Sequence, residues 1–319
     1  MRDDSRVSIV IPNYNGMAYL ESCLRALLAD DAKAEILVVD NGSTDGSREL
    51  AEEKFPQVRV IALQQNYGFC RACNEGIRAA SAPYVILLNN DTEVLPGFTK
   101  ALAAALHADK RIFSAGAKMI QLYHRDKIDD AGDFYCALGW AFARGKDKPA
   151  EYYEQQDEIF AACGGAAIYR KAVLEKIGYL DEAHFAYLED MDLGYRAKIA
   201  GYRNVFVPAA KVLHAGSGTS GSRHNAFKVA LSSRNSVYLV YKNMPFLQIL
   251  LNLPFLLIGF GLKFLFFLSK GLGGVYIRGI FRGLRMCRKD RKVKFYWKNL
   301  PAYVKIQLAL WRNIGKRFG

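Results

Sequence analysis

The first 120 residues alternate short, continuous apolar runs with longer segments in which apolar residues recur at helical spacing. Continuous apolar runs are typical of strands that are buried on both faces, as in a parallel sheet covered by helices. We therefore predict an α/β fold with a mostly parallel sheet between helices. The predicted strands are residues 7–12, 35–40, 58–63 and 84–90, and the predicted helices are residues 16–30, 45–55 and 68–80.

The pattern changes after residue 120. Residues 121–158 are rich in aromatic and charged side chains and show no regular period, so we expect irregular structure there. Regular spacing resumes at residue 159. It predicts a helix within residues 189–202 that is closed by Gly201. It also predicts a strand over 204–216 and a glycine–serine loop over 216–222.

Near the C-terminal end, residues 243–262 contain no charged side chain and are long enough to span a bilayer. We place a boundary here, between an α/β domain over 1–242 and a membrane-associated helical region over 243–319. If the α/β domain lies in the cytoplasm, a true span would leave the basic residues that follow it on the outer side of the membrane. That arrangement is against the positive-inside tendency. The sequence therefore favours helices that lie in the membrane interface, and a packed helix pair that extends the domain is the alternative.

The basic charge of the chain is concentrated in this tail. The net charge is +13, yet residues 240–319 hold 16 Lys and Arg against one acid, Asp290, and the other residues carry a net charge of −2. Basic side chains among apolar ones are typical of a surface that binds anionic membranes. We therefore expect a membrane partner and no nucleic-acid partner.

The six cysteines show no disulfide framework, which fits a reducing compartment. Cys70 and Cys73 form a CxxC pair, but no second pair follows to complete a zinc site, and we interpret the two as one face of a helix. Residues 1–6 are polar and residues 7–12 are too short for the apolar region of a secretory signal, so we expect no leader peptide.

Polar, turn-forming segments follow all four predicted strands. Ligands of parallel sheets bind beyond the carboxyl ends of the strands, so these segments should line one edge of the sheet. Asp40 ends the second strand, where its carboxylate could accept hydrogen bonds from a base or a ribose. Thr44 or Asp45, by contrast, could simply cap the next helix. Arg71, in the first turn of the third helix, could contact a diphosphate or remain a solvated arginine.

The segment "LLNNDTEV", residues 87–94, ends a buried strand in two asparagines and an aspartate. Asp91 offers a carboxylate oxygen, and Asn89 and Asn90 offer amide oxygens. Mg²⁺ and Mn²⁺ prefer such ligands and share them readily with phosphates. A divalent-cation site is one interpretation, and a polar strand end that begins a turn is the other.

The most acidic cluster is Glu189, Asp190 and Asp192, at the start of a predicted helix. Acids in a first helical turn interact favourably with the helix dipole, which could explain Glu189 and Asp190 without any function. One of these acids could instead be a general base if it faced a cleft, and spacing does not decide which. Asp192 and Arg196 are four residues apart and are expected to form a structural ion pair.

Taken in order, seven segments resemble the family 2 glycosyltransferases of the GT-A fold, in particular their bacterial rhamnosyltransferase-like branch. The resemblance covers about residues 7–240. Its segments are "VSIVIPNYNG", "LVVDNGSTDGS", "NYGFCRACNEGI", "LLNNDTEV", "CGGAAIYRK", "YLEDMDLGYRAKIAGY" and "VLHAGSGTS". As an ordered set they are specific for the family and less specific for the sugar.

The resemblance implies an inverting transfer of a sugar from a nucleotide-sugar to an acceptor hydroxyl. It implies that the nucleotide-sugar contacts are Pro12, Asn13, Tyr14, Asp40, Asn66, Arg71, Asn89 and Asn90. The other implied roles are Asp190 with Glu189 in catalysis, Gly164 and Gly165 at the acceptor, and Asp91 and His214 as ligands of Mg²⁺ or Mn²⁺. Two of the three positions of the family's DXD motif are asparagine here, which should weaken metal binding in the absence of the nucleotide.

By the same resemblance, the expected donor is a dTDP- or UDP-sugar, with dTDP-rhamnose as the first candidate. The expected acceptor is a cell-surface glycan or a glycan linked to a polyprenyl lipid, in cell-envelope polysaccharide synthesis. The basic, apolar tail fits a peripheral or monotopic position on the cytoplasmic face of the bacterial inner membrane. A non-catalytic nucleotide-sugar or membrane-binding module and a nucleotidyltransferase with the same core are the alternatives, although the latter would need a glycine-rich phosphate loop after the first strand.

Overall fold

The computed structural model describes residues 6–30, 33–216 and 225–318, and most of the predicted glycine–serine loop lies outside them. Its strands are β1 (Val7–Asn13), β2 (Glu35–Asp40), β3 (Arg59–Ala62), β4 (Tyr84–Leu88), β5 (Thr92–Val94), β6 (Ile112–Gln121), β7 (Ile128–Asp130), β8 (Asp133–Cys136), β9 (Trp140–Ala143), β10 (Asp157–Ile159), β11 (Ala166–Arg170) and β12 (Arg203–His214). A mixed, mostly parallel sheet runs in the order β10-β12-β6-β11-β4-β1-β2-β3, with β5 beside β12 and β7 beside β6.

The helices cover both faces of this sheet and then form a C-terminal group. They are α1 (Leu20–Ala29), α2 (Ser47–Lys54), α3 (Phe69–Ala79), α4 (Phe98–Ala108), α5 (Lys171–Ile177), α6 (Glu189–Ile199), α7 (Ala226–Asn243), α8 (Phe246–Ser269), α9 (Gly273–Met286) and α10 (Leu300–Phe318).

The first half of the sheet confirms the sequence prediction. β1, β2, β3 and β4 are joined by parallel pairings, and the helices between them lie on opposite faces. Successive residues of a strand point to opposite sides, so Ile9 packs into one core with α1 while Val10 packs into another with α3. Cys70 and Cys73 are buried on the inner face of α3 and are unpaired, as expected from the CxxC interpretation.

The second half of the sheet is antiparallel where β11 lies between β4 and β6. β12 runs parallel to β6, and the pairing of the two strands continues to His214. The prediction that residues 121–158 are irregular was wrong, because they contain β7, the β8–β9 hairpin and β10. These strands have only three or four residues each, which is too few to produce a recognisable period in the sequence.

The C-terminal helices pack against the sheet domain and against one another. In α9, Gly279 and Gly283 allow a close approach to α7, and a Cβ at Gly279 would lie 1.8 Å from Ser233 Oγ. α8 and α10 are joined by reciprocal side-chain hydrogen bonds of 2.8 Å between Asn252 and Gln307. Gln248 and Asn252, two polar side chains of α8, therefore face inward.

Among the described residues, α8 is the one helix that is long and apolar enough to cross a membrane by length and composition. Most of its leucines are exposed, whereas Gln248, Asn252, Leu256 and Gly259 form its buried side. Gly259 lies against the backbone of Leu138 so closely that a Cβ would be 2.1 Å from the Leu138 oxygen. One side of α8 is thus fixed to the protein along its length.

The predicted domain boundary after residue 242 coincides with the end of α7 at Asn243. The helices beyond it share a hydrophobic core with the sheet domain, in which Leu256, Tyr303 and Leu310 pack with Phe134 and Tyr195. The division into two domains stays a prediction. The residues on the two sides of the boundary pack together in one continuous apolar core.

A first test concerns the α7–α9 contact. We expect Gly279→Ala to lower the free energy of unfolding by roughly 1–3 kcal/mol, because the new methyl group overlaps α7. Gly274→Ala, in the same helix, meets no atom within 4 Å and should be neutral or stabilise by up to about 1 kcal/mol. Urea unfolding of both variants measures the difference. Equal effects would contradict this packing of α9.

Candidate active site

A cavity of about 1020 Å³ lies at the carboxyl ends of β1 and β4, where the N-terminal end of α6 faces them. It brings together most of the residues predicted from the sequence. The predicted residues that line it are Pro12, Asn13, Tyr14, Asn66, Asn89, Asn90, Asp91, Gly164, Gly165, Glu189, Asp190 and His214. Asp40 and Arg71 are not among the lining residues.

Asp40 is buried beneath the cavity and is bound by the protein itself. Its carboxylate accepts hydrogen bonds from Asn13 Nδ2 at 3.0 Å and from the Ser43 amide at 3.1 Å. Asn13 in turn accepts a hydrogen bond of 2.7 Å from Asn90 Nδ2, so the ends of β1, β2 and β4 are linked. Gly16 is needed for this network, because a Cβ there would lie 2.1 Å from Asn90. A direct contact of Asp40 with a nucleotide stays a prediction.

Arg71 lies on the outer side of α3. Its guanidinium stacks on the Tyr67 ring at 4.4 Å and approaches Glu75 at 3.8 Å. Its predicted contact with a diphosphate stays a prediction and would require the side chain to leave these partners.

The part of the cavity near β1 is suited to a planar base and a ribose. The Tyr14 ring is 37% exposed and lies beside Pro12. Asn66 Oδ1 accepts a hydrogen bond of 2.9 Å from Asn41, a residue that the sequence analysis did not single out and that also lines the cavity. Asn41 directly follows Asp40 in a segment that was predicted to line the ligand edge of the sheet. That position could have identified Asn41 as a cavity residue.

Asp91 and His214 face each other across 3.2 Å, between Oδ1 and Nε2. They meet because β5 pairs antiparallel with β12, which places Thr92 opposite His214. His214 Nδ1 lies 2.8 Å from Asp129 Oδ2, and this second carboxylate fixes the orientation of the ring. Burial alone would lower the pKa of His214, but its hydrogen bonds to Asp129 and Asp91 raise it to about 9.

These two side chains fit a divalent cation that also binds a nucleotide. A carboxylate oxygen and an imidazole nitrogen supply part of a coordination shell, and phosphate oxygens can complete it. A second group, Asp130, Asp133 and Cys163, has ligand atoms within 4.8 Å of one another. Burial raises the pKa of the Cys163 thiol and of the Asp133 carboxyl, so these two groups, like His214 with its raised pKa, must release a proton before they bind a cation. The Asp91–His214 pair is the set of ligands expected from the sequence, and its role as the metal site stays a prediction.

Asp190 and Glu189 begin α6 on the wall opposite the strand ends. Asp190 accepts hydrogen bonds from the Met191 amide at 2.7 Å and from the Gly164 amide at 3.3 Å. Burial raises the pKa of Asp190, and these amides oppose the rise. Burial and the charge of Asp190 raise the pKa of Glu189 to about 8, so Glu189 is mainly protonated at neutral pH.

The two glycines predicted at the acceptor begin the turn into β11. A Cβ at Gly165 would lie 3.0 Å from Asn89 Nδ2, so this position is closely packed. At Gly164 the nearest atoms would be 3.7 Å away or more, which leaves room beside Asp190.

The turn of residues 185–188, which precedes the acids, has a strained backbone. Phe185, Tyr187 and Leu188 all have positive φ, and such conformations cost about 1–3 kcal/mol each. Asn235 of α7 holds this turn by donating to the carbonyl oxygens of His184, Ala186 and Tyr187 at 2.7–3.0 Å. No sequence pattern pointed to Asn235.

Asp192 confirms the expected ion pair with Arg196, at 2.9 Å, and has further partners. Lys242 Nζ and Asn243 Nδ2, at the end of α7, each donate to the same carboxylate at 2.9 Å. Burial opposes ionisation of Asp192, but the charges of Arg196 and Lys242 hold its pKa well below the usual range. Asp192 therefore joins α6 to α7 in the charged form.

The mixed, mostly parallel sheet with a cavity at its strand ends is the architecture of the GT-A fold of glycosyltransferases. The sequence model of the family "Glycosyl transferase family 2" matches residues 8–178, more than half of the chain, and the protein belongs to that family.

The chain is similar to an N-acetylglucosaminyl-diphospho-decaprenol L-rhamnosyltransferase from each of two strains of Mycobacterium tuberculosis. Each is 28% identical over 264 residues, which cover 72% of this chain and 84% of the relative. The rhamnosyltransferase-like assignment is thereby confirmed at the level of the family branch.

Solved structures support the fold. GalNAc-T7 with UDP, GalNAc and Mn²⁺ has a TM-score of 0.61 and 18% identity over 74% of this chain and 47% of its own. The mannosyltransferase PcManGT from Pyrobaculum calidifontis, in complex with GDP-Man and Mn²⁺, has a TM-score of 0.52 and 16% identity over 90% of this chain and 88% of its own. At these identities the likeness concerns the fold alone.

A second test concerns the strained turn. Asn235→Ala should lower the free energy of unfolding by about 1–3 kcal/mol and reduce glycosyl transfer, because the turn that positions Asp190 loses its hydrogen-bond donor. Ser236→Ala is the matched control, since among the described residues the Ser236 hydroxyl donates to its own helix alone, at the Ser232 carbonyl. It should change stability by less than about 0.5 kcal/mol. Urea unfolding and nucleotide release measure both; a loss shared by the control would argue against a role for Asn235.

Proposed function

We propose that this family 2 glycosyltransferase moves a sugar, with inversion, from a nucleotide-sugar to a hydroxyl of a glycan acceptor, with Asp190 as general base. The observation that carries the proposal is that one cavity is lined both by Asp190 and by the Asp91–His214 pair. A base and a diphosphate site within one cavity suit an attack on the anomeric carbon from the side opposite the leaving group.

Asp190 is suited to accept a proton from the acceptor hydroxyl. Burial raises its pKa, which makes it a stronger base than an exposed carboxylate, and the amides of Met191 and Gly164 fix its oxygens. Glu189, mainly protonated beside it, adds no second negative charge at neutral pH. The open space at Gly164 allows the acceptor to approach the base.

The donor would lie with its base near Tyr14 and Pro12 and its diphosphate toward Asp91. Asp91 and His214 would hold Mg²⁺ or Mn²⁺, with Asp129 keeping the His214 ring in position. Once bound, the cation supplies positive charge that stabilises the departing nucleoside diphosphate. Asn89 and Asn90 line the same cavity, and an amide hydrogen of Asn89, or the second one of Asn90, would donate to the ribose or the sugar.

We propose dTDP-rhamnose as the first donor candidate and a polyprenyl-diphosphate-linked glycan as acceptor. The support is the 28% identity to a relative named for rhamnosyl transfer to a diphospho-decaprenol-linked sugar. The alternatives are a non-catalytic nucleotide-sugar or membrane module and a nucleotidyltransferase. Neither alternative explains the paired acids Glu189 and Asp190 at the start of α6.

We further propose a peripheral position on the cytoplasmic face of the inner membrane. The exposed apolar side of α8 and the basic tail support it, and the packing of Gln248, Asn252 and Gly259 against the protein favours a helix that lies in the interface over one that spans.

A third test addresses the base. Asp190→Asn should lower the rate of transfer by roughly 10²–10⁴-fold while donor binding is kept, because the amide cannot accept the proton. The assay is nucleotide release from dTDP-rhamnose, UDP-glucose, UDP-galactose and GDP-mannose with Mg²⁺ or Mn²⁺ and a lipid-linked acceptor. In the wild type, kcat/KM should fall as the pH is lowered through the raised pKa of Asp190, since the protonated carboxyl is no longer a base.

Glu189→Gln is the matched control, because glutamine resembles the protonated form that Glu189 holds at neutral pH. It should keep most of the activity at pH 7. Full activity of Asp190→Asn would refute the assignment of the base, and donor binding without turnover in the wild type would favour the non-catalytic module.

A fourth test addresses the membrane. Leu257, 66% exposed on α8, should insert into the bilayer, so Leu257→Gln should weaken binding to phosphatidylcholine–phosphatidylglycerol vesicles by roughly tenfold. Leu28→Gln, at a site 38% exposed on α1, is the control and should bind like the wild type. Vesicle sedimentation measures both. Unchanged binding of Leu257→Gln would place the membrane surface elsewhere.

A further inference from the structure

We infer that the chain has a second binding site, for the phosphate headgroup of an anionic phospholipid. The site is a cavity of about 700 Å³ between α10 and the sheet edge formed by β10, the start of β12 and the end of α6. It is separate from the catalytic cavity. The inference rests on the proposed membrane position and not on the identity of the transferred sugar.

The charge of this cavity is strongly positive. Its charged lining residues are Arg111, Lys198, Arg203, Lys298, Lys305, Arg312 and Glu158. Glu158 already pairs with Lys198 at 3.0 Å and Arg203 at 3.1 Å. In the part of the chain that the structure describes, no carboxylate forms an ion pair with Lys298, Lys305 or Arg312. Three cations of the tail therefore remain available for an anion.

The cavity also holds a buried acceptor that needs a donor. Asn313 is 2% exposed and donates through Nδ2 to the Tyr135 carbonyl at 2.9 Å. Its Oδ1 is buried and meets no hydrogen-bond donor among the described residues, and Asn313 is one of the residues that line the cavity. An unpaired buried acceptor is unfavourable, so a headgroup hydroxyl that reaches Oδ1, such as that of phosphatidylglycerol, would be bound there.

The apolar surroundings identify the ligand as a lipid. Phe134, Ile159 and Ile306 line the cavity. On α10, Leu300, Val304, Leu308 and Trp311 are all exposed and recur at spacings of four, four and three residues, so they form one stripe. We call these four residues the α10 stripe.

The α10 stripe lies between the cavity and α8. Leu308 belongs to both the stripe and the cavity lining, and Lys305 and Arg312 flank the stripe on the cavity side. On the other side, Trp311 Nε1 donates to Asn252 of α8 at 3.2 Å. The apolar surface is thus continuous from α8 to the cavity rim. A free phosphate or a nucleic acid would leave the stripe exposed, whereas a phospholipid covers the stripe with its acyl chains and the cations with its headgroup.

The test compares vesicles of phosphatidylcholine with vesicles that contain equal parts of phosphatidylcholine and phosphatidylglycerol, using the full chain. The triple variant Lys298→Gln, Lys305→Gln, Arg312→Gln should lose at least roughly tenfold in affinity for the anionic vesicles. The matched control removes the same charge from α9 of the same tail, with Arg278→Gln, Arg282→Gln and Arg285→Gln. It should lose less than about threefold, because those arginines lie outside the cavity. Equal losses in the two variants would show diffuse attraction and overturn the site.

A second variant tests the cavity without a change of charge. Ala309→Phe places a ring in the cavity that Ala309 lines and should reduce the preference for anionic vesicles as the triple variant does. Thermal unfolding checks that each variant is folded. Retained preference in a folded Ala309→Phe variant would overturn the inference.

The wild type separates this inference from the proposal on which it rests. Binding to both kinds of vesicle with equal affinity would refute the headgroup site and leave the membrane position intact. Binding to neither would refute both. Sugar transfer to a soluble acceptor should be the same in the triple variant and the wild type, because the cavity does not include the catalytic residues.

Discussion

The buried carboxylate of Asp192 is the constraint on which the candidate site depends. It is fully enclosed and ionised, with Arg196, Lys242 and Asn243 as partners. A buried charge that loses its partners is very unfavourable, so α6 and α7 cannot separate without a large cost in free energy. The first turn of α6, which carries Asp190, is therefore fixed relative to α7. The same helix α7 supplies Asn235 to the strained turn just before Asp190.

The opposite wall of the cavity is built in a different way. There the chain uses short polar side chains at strand ends, with Asn13 joined to Asp40 and to Asn90. These side chains meet because adjacent parallel strands bring their carboxyl ends together. The Asp91–His214 pair depends instead on the antiparallel pairing of β5 with β12, across more than a hundred residues. The proposed chemistry requires both walls, so it depends on long-range strand pairing as much as on the motifs.

This difference explains what could be predicted from the sequence. Continuous apolar runs identify the parallel strands, and parallel strands place their polar ends at one edge of the sheet. Most of the cavity residues could therefore be predicted from the sequence. The partners of those residues were not. Asp129 lies on a three-residue strand and Asn235 on one face of a helix, and neither belongs to a recognisable pattern. Asp40 ends β2 and Arg71 lies in the first turn of α3, as predicted. The contacts of Asp40 with Asn13 and of Arg71 with Tyr67 cannot be predicted from the spacing of residues.

The C-terminal helices are part of the site architecture as well as the proposed membrane anchor. Asp133 and Phe134 are neighbours in β8, so their side chains point to opposite sides; Asp133 lines the catalytic cavity and Phe134 lines the cationic one. The Phe134 ring packs against Phe142, which also lines the catalytic cavity, and the nearby backbone of β8 accepts a hydrogen bond from Asn313 of α10. β8 therefore lies between the two cavities. An acceptor glycan on a lipid beside α8 and α10 would lie on the other side of this strand from Asp190, which gives a physical reason why the proposed membrane-binding tail packs on β8 and not on the distant edge at β3.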